Sequence, residues 1–327
     1  MLVLTLIISI LVVFSSVVII LTLRRYLRRI ELRIKESSEV AARHFHQSQI
    51  TMRKLAFQGN PAVQFLIQAL RLEAPDIIHE RSSSFMSLIK NLNISWPVKS
   101  SSDIVICTVA LGAEYRDIVS PCLDSHKTYA QLHGYQYAVL ESGPVSPDRP
   151  YSWMKLPLIL RLLQDGAKRV LYIDADAMIT NTEISLEPFF SKFEDRADIF
   201  VAQEAGGRIN CGVMFIANTS GARRILDLTW LYDVDVDHPT WEQNALTTLM
   251  DDLHEVRLRI LIEPRPKSFN SFPVERRLII HTNDEGIWTA GDFICHFACI
   301  RSSALEQMVR AYAKALEHQV TEGATKG

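Results

Sequence analysis

Cysteine is scarce and odd in number: Cys107, Cys122, Cys211, Cys295 and Cys299 are the five in a chain of 327 residues. A disulfide-stapled secreted miniprotein is shorter and denser in cysteine, so that class is excluded and the count leans towards thiols. Glycine and proline number 13 each, without a period, which excludes collagen-like and low-complexity chains. Charge of one sign is also missing. The 35 basic side chains face 37 acidic ones, the formal net charge is −2, and the second half holds no long charged block. Nucleic-acid binding over the whole chain needs a clustered positive face and is therefore not expected. What is present is apolar matter: 48% hydrophobic residues can support a real core, in one large domain or two small ones.

Met1 to Leu23 is the long hydrophobic run, dominated by Leu, Ile and Val and free of charge. At a rise of about 1.5 Å per residue, roughly 20 such residues cross a bilayer's hydrocarbon core. A cleaved signal peptide needs a basic start, a shorter apolar run and a small-residue cleavage site, and these features are not evident. The expectation is an uncleaved transmembrane helix over residues 1–23 in contact with a lipid bilayer. Arg24, Arg25, Arg28, Arg29, Arg33 and Lys35 follow it. The positive-inside rule then sets the remainder beside the cytosolic leaflet. Alternatively, Leu27, Ile30 and Ile34 make an interfacial amphipathic extension whose arginines meet lipid phosphates.

Residues 24–102 read as a basic flank and helical stem without a chemical motif, closing on Lys99-Ser-Ser-Ser102. The texture then changes. Asp103 to Ala110 is a short apolar run consistent with a buried parallel strand. A helix is expected over 116–133, a strand over 135–140, a helix over 153–163 stopped by Gly166, and a strand over 168–173. Further strands are expected over 198–202 and 211–217, and helices over 221–230 and 241–249. Such alternation argues for an α/β layered domain with a mostly parallel sheet, placed at 103–318, followed by a flexible tail over 319–327.

Arg169-Val-Leu-Tyr-Ile-Asp174-Ala-Asp176 is the most informative stretch, because a buried strand delivers two carboxylates to its carboxyl end. Ligand sites of open α/β sheets lie there. Two anions so close need a cation or a proton, and a hard divalent ion with substrate phosphates supplies the charge. Two chemistries fit. Either both aspartates address a metal bridging a nucleotide diphosphate, or Asp174 is the nucleophile of a haloacid-dehalogenase-like, magnesium-dependent phosphatase with Asp176 as its acid/base. Against the phosphatase, Met178 occupies a position where that pattern has Thr or Val, and at least two strands precede the aspartates. A zinc site from Cys295, His296 and Cys299 lacks a second ligand pair at zinc spacing.

With its neighbours the pair becomes more specific. Tyr129-Ala-Gln-Leu-His-Gly-Tyr-Gln-Tyr137, Trp153-Met-Lys155-Leu-Pro157 and the Asp-x-Asp are followed in order by Asn210-Cys211-Gly212, Trp241-Glu242-Gln243-Asn-Ala-Leu246 and Gly291-Asp-Phe-Ile-Cys-His296-Phe-Ala298. This series, over about residues 103–300, resembles glycosyltransferase family 34, the galactosyl-, mannosyl- and xylosyltransferases. Two positions depart from the family's pattern: Cys211 stands for Thr, and Cys299 for Gly.

The resemblance implies a GT-A-type, Rossmann-like fold and retaining transfer of a hexose or pentose from a UDP- or GDP-sugar to a glycan or glycoconjugate hydroxyl. It implies Asp174, Asp176 and His296 as ligands of Mn²⁺ or another divalent cation. It sets Thr108, Ala110, Lys155, Asp174, Asn210 and Gly212 near the nucleotide sugar. Gln243, Glu242 and Asp176 become the catalytic candidates, with Gln243 and Glu242 at the sugar face. Trp153, Trp241 and Trp288 are candidates for stacking on sugar or base, although such rings are more often core. Relatives of this type in eukaryotes act in the Golgi lumen, the alternative to the cytosolic face that the arginines favour. A non-catalytic sugar-nucleotide or glycan-binding module is the other functional class the motifs allow.

Overall fold

The computed structural model describes residues 77–204, 208–231, 236–276, 286–300 and 302–324. The expected transmembrane helix and most of the stem lie outside them. Among the described residues, no helix is long and apolar enough to cross a membrane.

The core of the fold is a seven-stranded sheet in the order β1-β3-β2-β4-β7-β6-β8. Its strands are β1 (Asn93–Val98), β2 (Ile104–Val109), β3 (Gln136–Ser142), β4 (Arg169–Ile173), β6 (Ile199–Gln203), β7 (Ile209–Ala217) and β8 (Ile260–Glu263). Parallel pairing joins β3 to β2, β2 to β4 and β6 to β8; antiparallel pairing joins β1 to β3 and β7 to both β4 and β6. Five strands therefore point one way, with β1 and β7 reversed. The sheet expected from the sequence to be mostly parallel is mixed, with three parallel and three antiparallel pairings among the described strands.

Both faces of the sheet are covered, which is why β2 reads as an unbroken apolar run rather than an alternating one. Its Val105, Cys107 and Val109 enter one core and its Ile104 and Ile106 the other. Helices α1 (Ile77–Asn91), α3 (Lys155–Gln164), α5 (Ser220–Leu231) and α6 (Trp241–Asp252) supply the first core. Helices α2 (Ala113–His133), α4 (Glu187–Phe193) and α8 (Ser302–Ala324) supply the second, while α7 (His254–Arg257) is a single turn before β8. Pro121 lies inside α2 and has no N–H for the Asp117 carbonyl; Ser120 Oγ donates to that carbonyl instead, at 3.0 Å.

Two boundaries differ from the sequence reading. The compact unit starts at Asp76 rather than 103. Phe85 and Ile89 of α1 are buried, with Phe85 stacked on Trp230 at 4.4 Å, and β1 is an edge strand of the sheet. Periodicity missed β1 because an edge strand buries little, and its Pro97 is tolerated only at such an edge. At the other end, α8 continues to Ala324, through most of the stretch expected to be a tail.

A second, two-stranded sheet, β5 (Ala177–Ile179) with β9 (Ile294–His296), sits at the carboxyl end of β4. All five cysteines are thiols, four of them buried. Cys295 and His296 are consecutive on β9 and project to opposite faces, which removes the zinc reading.

Candidate functional site

The antiparallel strand β7 brings the site together. Its pairing places Ile173 opposite Val213, and the next backbone bond runs from Asp174 N to Gly212 O at 2.7 Å. After Asp174 the chain turns, with Ala177 N donating to Asp174 O at 3.0 Å, and enters β5. There Ala177 pairs with His296, and Phe297 N donates to Asp176 O at 2.8 Å. Three side chains from distant stretches of sequence now converge. His296 Nε2 lies 3.5 Å from Asp176 Oδ1 and 3.8 Å from Asp174 Oδ2, and one ligand atom from each residue falls within 4.8 Å of the others.

The donor set fits a divalent cation. Two carboxylates supply negative charge, and imidazole beside carboxylate suits manganese better than magnesium. The imidazole is oriented for it: Nδ1 bonds Asn270 Oδ1 at 2.9 Å, which leaves Nε2 towards the aspartates. Asn270 Nδ2 in turn donates to Asn210 Oδ1 at 2.9 Å, and Gly212 N donates to the same oxygen at 2.8 Å. Burial disfavours an ionised Asp176, but His296 and Lys155 outweigh it and hold the carboxyl below its ordinary range.

Gly212 is where the backbone must come close. A Cβ there would stand 2.0 Å from His296 Cε1 and 2.8 Å from Asp174 Oδ2. Gly212→Ala should therefore displace two of the three candidate ligands and weaken cation binding by roughly 100-fold or more, on the scale of losses caused by misplaced ligands. Isothermal titration with Mn²⁺ checks it.

Lys155 joins the aspartates to α6. It is 3% exposed, and its Nζ lies 2.7 Å from Glu242 Oε1, 3.1 Å from Asp174 Oδ1 and 3.2 Å from the Cys211 carbonyl. Set near the nucleotide sugar by the resemblance, this cation is enclosed by two carboxylates and a carbonyl. Desolvation opposes its charge, yet Asp174 and Glu242 prevail and raise its pKa. Burial raises that of Glu242, against the pull of Lys155. Tyr172 donates to Asp174 Oδ1 at 2.6 Å. The sequence reading passed over this tyrosine, although residues two apart on a strand share a face. No sequence signal pointed to Asn270.

The remaining candidates divide. Gln243 Oε1 accepts from Cys211 N at 3.0 Å, and its Nε2 donates to Glu204 Oε2 at 3.3 Å. Glu242 Oε2 is buried without a hydrogen bond. Asn210 is buried, and its side-chain oxygen serves Gly212 and Asn270. Thr108 and Ala110 are wholly buried at the end of β2, away from solvent. Tyr115, on the first turn of α2 and 36% exposed, was not singled out by sequence; desolvation of its hydroxyl end and the charges of Asp176 and Asp174 raise its phenol pKa.

Among the tryptophans, Trp153 is core, Trp288 donates to Thr180 Oγ1 at 2.8 Å, and Trp241 is exposed with φ 44°. Cys299, at the position where the resembling family has glycine, adopts φ 61°. That left-handed conformation costs a non-glycine residue on the order of 1 kcal/mol.

His126, wholly buried on α2 beneath the aspartate turn, titrates far from its usual range. Burial pushes its pKa down to about 4, only partly opposed by the bond to the Ala177 carbonyl. Above pH ~6.5 the imidazole is neutral whether folded or not, and stability is unaffected. As pH falls from there towards 4, the unfolded chain takes up a proton that the folded one refuses. Stability should drop by about 3 kcal/mol over that window. Urea midpoints measured against pH, with His126→Phe flattening the slope, check this.

The galactosyl transferase GMA12/MNN10 family matches this chain over residues 100–197. No curated protein sequence matches it. Among solved structures, a glycosyltransferase involved in the glycosylation of the major capsid of PBCV-1 is similar in fold: 15% identity, TM-score 0.51, covering 64% of this chain and 98% of that one. Mouse xyloside xylosyltransferase 1 in its apo form aligns at 14% identity and TM-score 0.38, over 60% of this chain and 98% of its own. GlyE of Streptococcus pneumoniae TIGR4, a glycosyltransferase, aligns at 13% identity and TM-score 0.41, over 67% and 63%.

Proposed function

We propose that this chain, similar to the galactosyl transferase GMA12/MNN10 family over residues 100–197, is a metal-dependent, retaining glycosyltransferase with a GT-A-type fold. It moves a hexose or pentose from a UDP- or GDP-sugar to a glycan or glycoconjugate hydroxyl, anchored to a bilayer by Met1 to Leu23. The observation that carries this reading is the convergence of Asp174, Asp176 and His296 at the carboxyl end of β4. A divalent cation held by these residues supplies Lewis-acid neutralisation of the departing diphosphate.

Everything else is the work of the chain's own side chains. Lys155 and Tyr172 fix one Asp174 oxygen, leaving the other turned towards His296. Asn270 sets the imidazole's tautomer. Gln243 and Glu242 tie α6 to the start of β7 and to Lys155, which holds the proposed sugar-facing helix against the donor site. Asn210 orders the Gly212 backbone beside it. The family match over residues 100–197 favours transfer over the phosphatase reading.

The test is a screen of the detergent-solubilised full chain against UDP- and GDP-sugars, with Mn²⁺ or with EDTA. Transfer or slow sugar release that needs the cation supports the reading. Phosphomonoester hydrolysis, or tight sugar-nucleotide binding without turnover, replaces it. The arginines after residue 23 favour a catalytic domain on the cytosolic side. Protease protection in sealed vesicles separates that orientation from a luminal one.

A further inference from the structure

We propose that α2 is a positioning element for the candidate metal site, with Ser125 and His126 acting as a side-chain substitute for a missing third strand beside β5. This rests on the metal-centre reading of Asp174, Asp176 and His296.

The reasoning begins with β5, only three residues long and buried throughout. Backbone groups of successive strand residues point to opposite edges. Asp176 and Met178 face β9: Phe297 N donates to Asp176 O at 2.8 Å, and Met178 pairs with Cys295. Ala177 and Ile179 must then face the other way, where the described residues place no strand. Water does not reach this buried edge, and a buried backbone group without a partner is strongly disfavoured.

Helix α2 fills the gap. Ile179 N donates to Ser125 Oγ at 3.1 Å, and that hydroxyl donates to Cys122 O at 2.6 Å. His126 Nε2 donates to the Ala177 carbonyl at 2.6 Å, while Nδ1 accepts from Tyr137 OH at 3.4 Å. The same helix face continues the pattern along the chain. Tyr129 OH donates to Ile184 O at 2.6 Å, and His133 Nε2 bonds Thr182 O at 2.7 Å. Positions 125, 126, 129 and 133 share one helical face. Four of its side chains thus read the backbone from 177 to 184, immediately after Asp176.

The consequence is mechanical. Asp176 is joined directly to Ala177 and its carbonyl bonds Phe297 N, next to His296, which stands opposite Ala177 across the two strands. A shift of β5 moves both ligands relative to Asp174, which is held independently by β7 and Lys155. His126 touches no ligand atom; its influence passes through one backbone carbonyl.

The test uses the full chain and Mn²⁺ itself, with free Mn²⁺ followed by electron paramagnetic resonance. His126→Phe keeps a ring but removes the donor, and it should weaken Mn²⁺ binding about 10- to 100-fold, the usual loss on removing an outer-shell partner. The sugar-transfer rate at saturating Mn²⁺ should recover towards that of the unaltered chain. His126→Gln can donate from its amide nitrogen and accept from Tyr137, and it should restore the affinity. Ser125→Ala should weaken binding several-fold, roughly the effect of one lost neutral hydrogen bond. It serves as the second variant should His126→Phe fail to fold. Unchanged Mn²⁺ affinity in folded His126→Phe or in Ser125→Ala overturns the proposal, even where thermal stability has fallen. If the unaltered chain binds no Mn²⁺ at all, the metal-centre reading falls first and this inference falls with it.

Discussion

Asp176→Ala should reduce cation-dependent sugar transfer by on the order of 10³-fold, while the thermal midpoint stays close to that of the unaltered chain. The size follows from the chemistry: Lewis-acid neutralisation of a leaving diphosphate is worth several kcal/mol, and about 1.4 kcal/mol is a factor of ten in rate. The small structural effect follows from the bonds. Its fixed duty is a backbone carbonyl that accepts from Phe297 N, and alanine retains it. The side chain faces His296, partly open to solvent. Asp174 would be a poorer choice, because its carboxylate also meets Lys155 and Tyr172, so that its removal mixes structure with chemistry. Initial rates with the accepted nucleotide sugar over a range of Mn²⁺ decide the matter. Retention of more than about a tenth of the rate, a barrier change under 1.4 kcal/mol, would exclude Asp176 from the reaction.

Lys155→Met should have the largest effect on stability, a loss of about 3 to 5 kcal/mol, the range seen when one partner of a buried ion pair is removed. Methionine fills much of the lysine's volume, so packing changes little. What remains is an unpaired Glu242 with 5% of its side chain exposed and an Asp174 that has lost its counter-charge. Two further measurements separate charge from packing. Adding Glu242→Gln to Lys155→Met should recover part of the loss, since one of the stranded carboxylates is then gone. The deficit should also shrink as pH falls through the carboxylate range, because protonation neutralises the stranded groups. Urea denaturation of the unaltered chain and the two variants at pH 7 and near pH 4.5 measures both. A pH-independent deficit would point to lost packing instead.

These two expectations differ in how much of their basis was legible in the sequence. Asp176 was legible. An apolar strand closing on Asp-x-Asp is a local pattern, and the rule that ligands gather at the carboxyl ends of strands needs no coordinates. Lys155 was legible only as a residue of a motif, because its partners come from β4 and α6, and strand or helix spacing says nothing about which charges meet. The same limit explains β1, whose exposed edge gives weak alternation, and β5 and β9, which are too short to carry a period.

Local periodicity therefore settled the alternation of strands and helices, the double-sided burial of β2 and the carboxylates at the tip of β4. Each depends on neighbours a few residues apart. The resemblance had already grouped His296 with those aspartates; the tertiary structure alone gave the distances between them and decided that Gly212 clears the space beside them and that Ser125 and His126 close the free edge of β5. These depend on strand register and on which helix face turns inward. Packing across the whole fold fixes both, and no run of adjacent residues encodes them.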